Sequence, residues 1–389
     1  MAGFEELMQY LPCRPLYRFD WQGLQQSLLS SVLGKMMQTP QHPAWHGEGD
    51  VWAHTKMVCE ALASLASFRA LPLRQQQELA LAALLHDAGK IRTTHLEDGI
   101  LVSPGHAAEG AQMIRSLLWR EYQLSGRRDL QLFRETVCQL IRYHTLPLHL
   151  FKGDDAERRI RKLAENSRLT PDFSVDLLCI LAEADVRGRI CADQKELLES
   201  VQLCRMLAKE AQCLDGPFPF PSAVTRHAYL SGRNVWPYQD LYDEAWGPVI
   251  LLCGLPGTGK DTWIRNNCPG LPVVSMDDLR RKMGIRPTDE QGAIVQAARE
   301  QAREYLRQKR PFIWNATSLT PSLRRKSIQL FEEYGASVHI ICLETGWTEN
   351  LFRNQNREHT VPEAVIGGML EKFVLPEAWE ARSVEWLCI

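Results

Sequence analysis

The chain has 389 residues, 45% of them apolar and 24% charged, and a formal net charge of −2. That length predicts two globular domains rather than one core. The near-neutral charge excludes a protein gripped along a duplex by counterion release, but not one that takes a nucleotide or a nucleic-acid end, where a few arginines suffice.

The start "MAGFEELMQYLPCRP" has no basic flank followed by an apolar core, so no signal peptide is expected. No apolar run approaches the roughly 20 residues that span a bilayer, which predicts no membrane partner. Eleven cysteines, scattered singly with no CxxC pair, predict reduced thiols and a cytoplasmic location.

Up to about Ala211 the sequence reads as helices. "DVWAHTKMVCEALASLA" opens with Asp50 as an N-cap and keeps Val51, Val58, Ala61, Leu62 and Leu65 together. "QQELALAALLHDAGK" is apolar nearly all round, as a central buried helix would be. "DLQLFRETVCQLIRYH" places Leu130, Phe133, Val137, Leu140 and Ile141 on one face at the 3.6-residue period. Residues 1–213 are therefore expected to form an all-α domain.

That domain holds unusual polar residues. His86 and Asp87 stand side by side near the end of the apolar central helix, where titratable groups are costly unless partnered. His54 lies on an earlier helix, and Asp185 on a later one, "LLCILAEADVRGR", that runs apolar but for Glu183 until the Asp. Imidazoles and carboxylates from three helices can converge on a divalent cation within a bundle. His106 and His144 are either ordinary core or surface histidines, or the rest of a second metal site with Asp87 bridging. Two metals a few ångströms apart clamp a phosphoryl group and activate water. Lys90 and Arg189 follow Asp87 and Asp185 by three and four residues, share a face with them, and are read as phosphate-binding groups. His42, His46, His95 and His149 are read as structural or surface residues.

The ordered set H…HD…H…H…D, with "HDAGK" and "ADVRGR", resembles the HD-domain phosphohydrolase superfamily over roughly residues 40–210. The resemblance implies His54, His86, Asp87 and Asp185 as core metal ligands. It implies His106 and His144 as the further ligands of bimetallic members. One or two divalent transition metals, drawn from Mn, Fe, Co, Ni and Zn, suit such mixed ligands.

Residues 214–247 are rich in Pro, Gly and aromatics and lack periodicity. They are read as a connector, packed because its aromatics favour burial. From Pro248 the texture changes. "VILLCG", "LPVVSMD", "PFIWNAT" and "SVHIICLE" are short apolar runs separated by helical stretches, which predicts a parallel α/β sheet over residues 248–389.

"VILLCGLPGTGKDTWIRNN" is strand, glycine turn and helix. Gly254, Gly257, Thr258 and Gly259 form the turn of a phosphate loop, whose backbone N–H groups face phosphate oxygens, and Lys260 neutralises the β- and γ-phosphates. Asp261 stands where a Ser or Thr normally serves Mg²⁺. Either Asp261 or Thr262 contacts Mg²⁺, or Asp261 merely favours a helix N-terminus. After the next strand, Asp277 suits a general base and Arg280 a phosphate clamp, while Asp278 reads as a helix cap. Arg353 and Arg357, four apart, share a helical face and are either a lid over ATP or a solvated basic face.

Phosphate loop, "SMDD-L-R", "NAT" and "RNxxR…VPxxVI" together resemble the 5′-hydroxyl polynucleotide kinase family of P-loop phosphotransferases from about Pro248 onward. The resemblance implies Asp277 as general base and Arg280 on the acceptor-side phosphate. It places Lys260 and Thr262 on ATP or another nucleoside triphosphate, and Arg353 and Arg357 in the lid. The family often has Asp at the position of Asn315 and Ser or Thr at that of Asp261, so this chain departs from it at the metal.

The combination resembles a bacterial fusion of an HD phosphohydrolase with a polynucleotide kinase, an RNA end-healing enzyme. Its implied partners are RNA or DNA ends, a nucleoside triphosphate and a separate ligase that seals the healed ends. A second reading keeps both domains but makes the HD domain a nucleotidase for small nucleotides and the P-loop domain a regulatory ATPase.

Overall fold

The apolar stripes read from the sequence become the inner faces of helices in a computed structural model. It describes residues 2–12, 15–286, 289–357 and 359–389. They divide into two units, Met1–Pro219 and Phe220–Ile389.

The first unit is a helical bundle built on Leu73–Leu85, whose residues from Leu79 to Leu85 are fully buried. This helix touches Val51–Ser64, Arg128–Tyr143 and Val175–Arg187. Asp50 caps Val51–Ser64 by accepting from Ala53 N at 2.8 Å. Val51, Val58 and Leu62 on that helix are buried, whereas Leu65 lies past its end. Leu130, Phe133, Val137, Leu140 and Ile141 all face the core. Each such side chain contributes about 1.5–3 kcal/mol of burial energy.

Periodicity hides one feature of this bundle. Arg115, Arg134 and Glu135 are buried together. Glu135 accepts from Arg115 Nε at 2.9 Å and Nη2 at 2.8 Å, and from Arg134 Nε at 2.9 Å. Arg134 also stacks 4.0 Å over the Trp119 ring and donates to Leu124 O. The network ties His106–Arg120 to Arg128–Tyr143, the two helices that carry His106 and His144. Between the central helix and His106, strands β1 (His95–Glu97) and β2 (Ile100–Val102) form a hairpin. Its two-residue turn, Asp98–Gly99, has positive φ at both positions, the arrangement that Asp-Gly favours.

The second unit begins at Phe220, so much of the Pro-rich segment belongs to it. Ser222 caps the helix Ala223–Leu230. Polar contacts anchor the segment: His227 to Glu332 at 2.6 Å, Arg382 to Asp243 at 2.7 Å, and Trp246 Nε1 to Tyr334 O at 2.8 Å. Its aromatics are not uniformly buried, since Trp236 and Tyr242 are exposed.

A parallel five-stranded sheet follows: β3 (Pro248–Cys253), β4 (Val273–Ser275), β5 (Phe312–Asn315), β6 (Ser337–Glu344) and β7 (Ser383–Cys388), in the order β4-β5-β3-β6-β7. The first four are the apolar runs of the sequence; β7, with the polar Ser383 and Glu385, is not among them. Leu252, Ile264, Ile313, Ile341 and Leu343 pack β3, β5 and β6 against the helix Lys260–Asn267. Connections from β3 lead first to one side and later to the other, so a crevice opens at the carboxyl ends beside β3. Among the described residues no helix is long and apolar enough to cross a membrane.

Removing Glu135 leaves two arginines buried without their carboxylate. Glu135→Ala is expected to lower stability by about 3–5 kcal/mol, measured by urea unfolding. A loss within experimental error would mean that the network does not hold these helices.

Candidate functional site

Six side chains singled out in the first unit meet at the bundle centre. His54 comes from Val51–Ser64, His86 and Asp87 from the end of Leu73–Leu85, and Asp185 from Val175–Arg187. His106 begins one helix and His144 ends another. Asp87 Oδ2 lies 3.3 Å from His86 Nε2 and 3.6 Å from His54 Nε2, and Asp185 Oδ1 lies 3.1 Å from His54 Nε2. The other oxygen, Asp87 Oδ1, lies 3.4 Å from His106 Nε2 and 3.8 Å from His144 Nε2.

Backbone carbonyls set the tautomers. His86 Nδ1 faces Ala83 O at 2.8 Å, His106 Nδ1 faces Ser103 O at 2.9 Å, and His144 Nδ1 faces Ile141 O at 2.7 Å. A carbonyl can only accept, so each Nδ1 carries the proton and each Nε2 turns a lone pair toward the carboxylates. His106 Nε2 and His144 Nε2 stand 3.3 Å apart. Burial pulls the His144 pKa down to about 3 and lowers that of His106, so protons do not separate these lone pairs near neutral pH. His86 Nε2 and Asp87 Oδ1 are buried without a hydrogen-bond partner, while Asp87 Oδ2 meets the Lys90 ammonium. Acceptors that converge on acceptors in a buried centre fit a divalent cation.

Burial opposes ionisation of Asp87, but Lys90 and His86 outweigh it and hold the carboxyl well below its usual range. Arg189 and His54 do the same for Asp185. Both cations sit on their own carboxylates: Lys90 Nζ is 2.8 Å from Asp87 Oδ2, and Arg189 forks onto Asp185 at 3.0 and 2.5 Å.

Sequence reasoning missed a supporting layer. Glu48 Oε1 lies 2.7 Å from His54 Nδ1 and 2.8 Å from His46 Nδ1, while Glu48 Oε2 accepts from Ile190 N. Burial works against a charged His54, yet Asp185 and Glu48 raise its pKa. His46 is buried, and its Nε2 lies 3.4 Å from Lys90 Nζ, which also donates to Gln41 Oε1 at 2.6 Å. Of the two readings of His46, structural or surface, its burial fits the structural one. Its position five residues before Val51, the start of the His54 helix, was the only available signal. Two glycines set the spacing: a Cβ on Gly89 would overlap the His106 carbonyl, and one on Gly188 would lie 2.6 Å from Val58 N.

In the second unit, β3 runs into the phosphate loop. Gly254, Gly257 and Gly259 have φ of 142°, 84° and 82°, values that L side chains rarely adopt. Lys260 Nζ donates to Gly254 O at 2.9 Å and Leu255 O at 2.8 Å, and burial in the loop lowers its pKa to about 8. Thr258 braces the loop by donating to Leu255 O, and Thr262 accepts from Arg265. Asp261 meets Asn315, whose Nδ2 donates to Asp261 Oδ1 at 2.7 Å.

Asp277 and Arg280 lie in the helix Met276–Met283 after β4, 2.5 Å apart. Ser275, not Asp278, is the cap: its Oγ accepts from Asp278 N, and the Asp278 side chain pairs with Arg281. Gln291 Oε1 accepts from Arg280 Nε at 2.7 Å. Arg353 lies on Trp347–Gln355 beside Gly259. Arg357 falls beyond that helix, so the two do not share a helical face. Arg357 is nevertheless near enough to Lys260 to depress its pKa, after burial has done so. Two asparagines missed in the sequence fix this region. Asn350 Nδ2 donates to Pro256 O in the loop, and Asn354 exchanges two hydrogen bonds with Val361, tying the "RN" and "VP" parts of the pattern.

Glu48→Gln keeps the shape but not the charge behind His54. It is expected to weaken Co²⁺ or Mn²⁺ binding about 10–100-fold by titration calorimetry, with helical circular dichroism unchanged. Parental affinity would mean that Glu48 gives His54 no support.

The sequence matches the HD domain family over residues 51–185 and the AAA domain family over residues 249–376. It is 30% identical over 179 residues to the Multifunctional CCA protein of Ralstonia nicotianae, covering 46% of this chain and 38% of that protein. It is 27% identical over 165 residues to the Multifunctional CCA protein of Hahella chejuensis, covering 42% and 35%. It is 26% identical over 147 residues to the Heterogeneous nuclear ribonucleoprotein U-like protein 2 of Homo sapiens, covering 33% and 20%. The chain thus spans well under half the length of these relatives. Its helical N-terminal unit contains an HD domain, and its C-terminal α/β unit contains a nucleotide-binding P-loop domain.

Proposed function

We propose that the protein heals nucleic-acid ends, RNA foremost: the P-loop domain phosphorylates 5′-hydroxyl ends with ATP, and the HD domain removes 2′,3′-cyclic, 2′- or 3′-phosphates. The observation that carries the kinase half is Asp277 paired with Arg280 at the crevice that also holds Lys260. A bare nucleotide-hydrolysing loop has no need of an acid–arginine pair at the end of β4, two strands away. A ribonucleoprotein-like protein among the relatives agrees with RNA as the polymer.

In the kinase step the 5′-oxygen attacks the γ-phosphorus, a new O–P bond forms, and the bond to the β–γ bridging oxygen breaks. Asp277, with its side chain 72% exposed, is open to an incoming hydroxyl and accepts its proton. Arg280 meets the phosphate on the acceptor side, and Gln291 fixes its guanidinium. Lys260 and the loop amides hold the β- and γ-phosphates. Arg353 and Arg357 offset charge on the transferring group.

In the HD domain, His54, His86, Asp87 and Asp185 would hold one divalent metal, and Asp87, His106 and His144 a second. Such metals supply Lewis acidity and lower the pKa of water. The chain's own part is to hold four imidazoles and two ionised carboxylates in place. Lys90, seated among Asp87, Gln41 and His46, adds a positive charge for a substrate phosphate.

The test is an oligonucleotide with 5′-hydroxyl and 2′,3′-cyclic phosphate ends, given labelled ATP and varied divalent metals. Transfer of label with loss of the cyclic phosphate is expected; release of inorganic phosphate from ATP without transfer would overturn the kinase reading. Asp277→Asn is expected to lower kinase rate about 10²–10⁴-fold while ATP binding and end-phosphatase activity persist. His86→Ala is expected to do the reverse. Ser275 is the helix cap, so a normal melting temperature is expected for Asp277→Asn. Parental kinase rate in that variant would remove Asp277 from the mechanism.

A further inference from the structure

Two polar residues at the phosphate loop are paired in an order that carries information. Asp261 lies in the first turn of Lys260–Asn267, and Asn315 ends β5, the strand beside β3. They are 54 residues apart in sequence, yet Asn315 Nδ2 donates to Asp261 Oδ1 at 2.7 Å. Asp261 Oδ2 and Asn315 Oδ1 make no hydrogen bond or ion pair with the described residues.

Phosphate-loop enzymes commonly give Mg²⁺ a hydroxyl oxygen from the residue after the lysine and a carboxylate from a strand end. Here the donor types stand the other way round, with the carboxylate on the helix and a neutral amide on the strand. The exchange keeps one anionic and one neutral oxygen at the edge of the loop. A carboxylate beside a triphosphate is repelled unless a cation lies between them. The Asn315 N–H fixes one oxygen of Asp261 and leaves the other for that cation.

We propose that Asp261 and Asn315 form a transposed divalent-cation site, with Asp261 Oδ2 as the anionic ligand and Asn315 as both the group that orients it and the neutral oxygen donor. The proposal rests on the reading that the loop takes a nucleoside triphosphate. It makes the two positions interdependent. Asp261→Ser leaves two neutral donors and no anion. Asn315→Asp alone sets two carboxylates in contact, and like charges there repel. The double variant restores one anion and one hydroxyl in the commoner order.

The test measures binding of a fluorescent ATP analogue to the full chain, in EDTA and in Mg²⁺, without turnover. Mg²⁺ is expected to tighten binding to the parent. That enhancement is expected to fall about tenfold in Asp261→Ser, in Asp261→Asn and in Asn315→Asp, and to recover to near the parental value in Asp261→Ser/Asn315→Asp, a coupling of the size contacting residues show. Binding in EDTA is expected not to weaken in Asp261→Asn, since the amide keeps the shape and removes a charge that repels the triphosphate when no cation lies between them. A parental Mg²⁺ response in Asp261→Asn, or losses that simply add in the double variant, would overturn the transposed site alone. Failure of the parent to bind the analogue in either condition would overturn the nucleotide reading and this proposal with it.

Discussion

Asp87 offers one carboxylate oxygen to His54 and His86 and the other to His106 and His144, and much of the first unit exists to keep it there. An ionised carboxylate at the centre of a helical bundle is tolerated only with compensating charge and polar partners. Lys90 supplies the nearest charge, and the imidazoles supply directed nitrogens whose protons are held on the far side by backbone carbonyls. The surrounding choices follow from that need. Gly89 lets the His106 helix come close, Gly188 does so for the helix of Asp185, and Glu135 ties together the helices bearing His106 and His144.

The second unit solves a different problem by similar means. It must present backbone N–H groups and a lysine to phosphates without collapsing the loop. Positive φ at three glycines shapes the loop, and buried side chains brace it: Thr258 from within and Asn350 from the helix Trp347–Gln355. Arg324, buried and forked onto Glu380, donates to Ser318 O and Val374 O, which holds the segment after β5 whose Thr317 O accepts from Gly254 N. The loop is thus set by groups far along the chain, and the acid–arginine pair of Asp277 and Arg280 is presented at the end of β4, on the far side of β5.

Both sites share a logic of reserved valence. In the HD domain, Nδ1 of His86, His106 and His144 is committed to a backbone carbonyl, so Nε2 is left for a cation. At the phosphate loop, one oxygen of Asp261 is committed to Asn315, so the other remains. In each case a neighbour's hydrogen bond decides which atom of a versatile side chain is left to do chemistry.

The sequence by itself determined the element types, the two-part texture and the identity of the main polar residues. Apolar periods of 3.6 and short apolar runs report which faces must leave water, and a glycine-rich turn between strand and helix admits few structures. His54, His86, Asp87 and Asp185 were legible because titratable groups on apolar helices need partners. Other features were written in local signals that periodicity overlooks: "EDGI" for the β1–β2 turn, and a polar-laced segment for β7. Only the tertiary structure decided the pairings. His46 and Glu48 precede their helix with no periodic mark, Arg134 and Glu135 look like surface charges on an amphipathic helix, and Arg357 continues a helical pattern that ends at Gln355. Whether a polar residue is solvent-facing or committed depends on what other elements place opposite it. Asp261 and Asn315, 54 residues apart, become one unit only because parallel strands bring their carboxyl ends to a common edge.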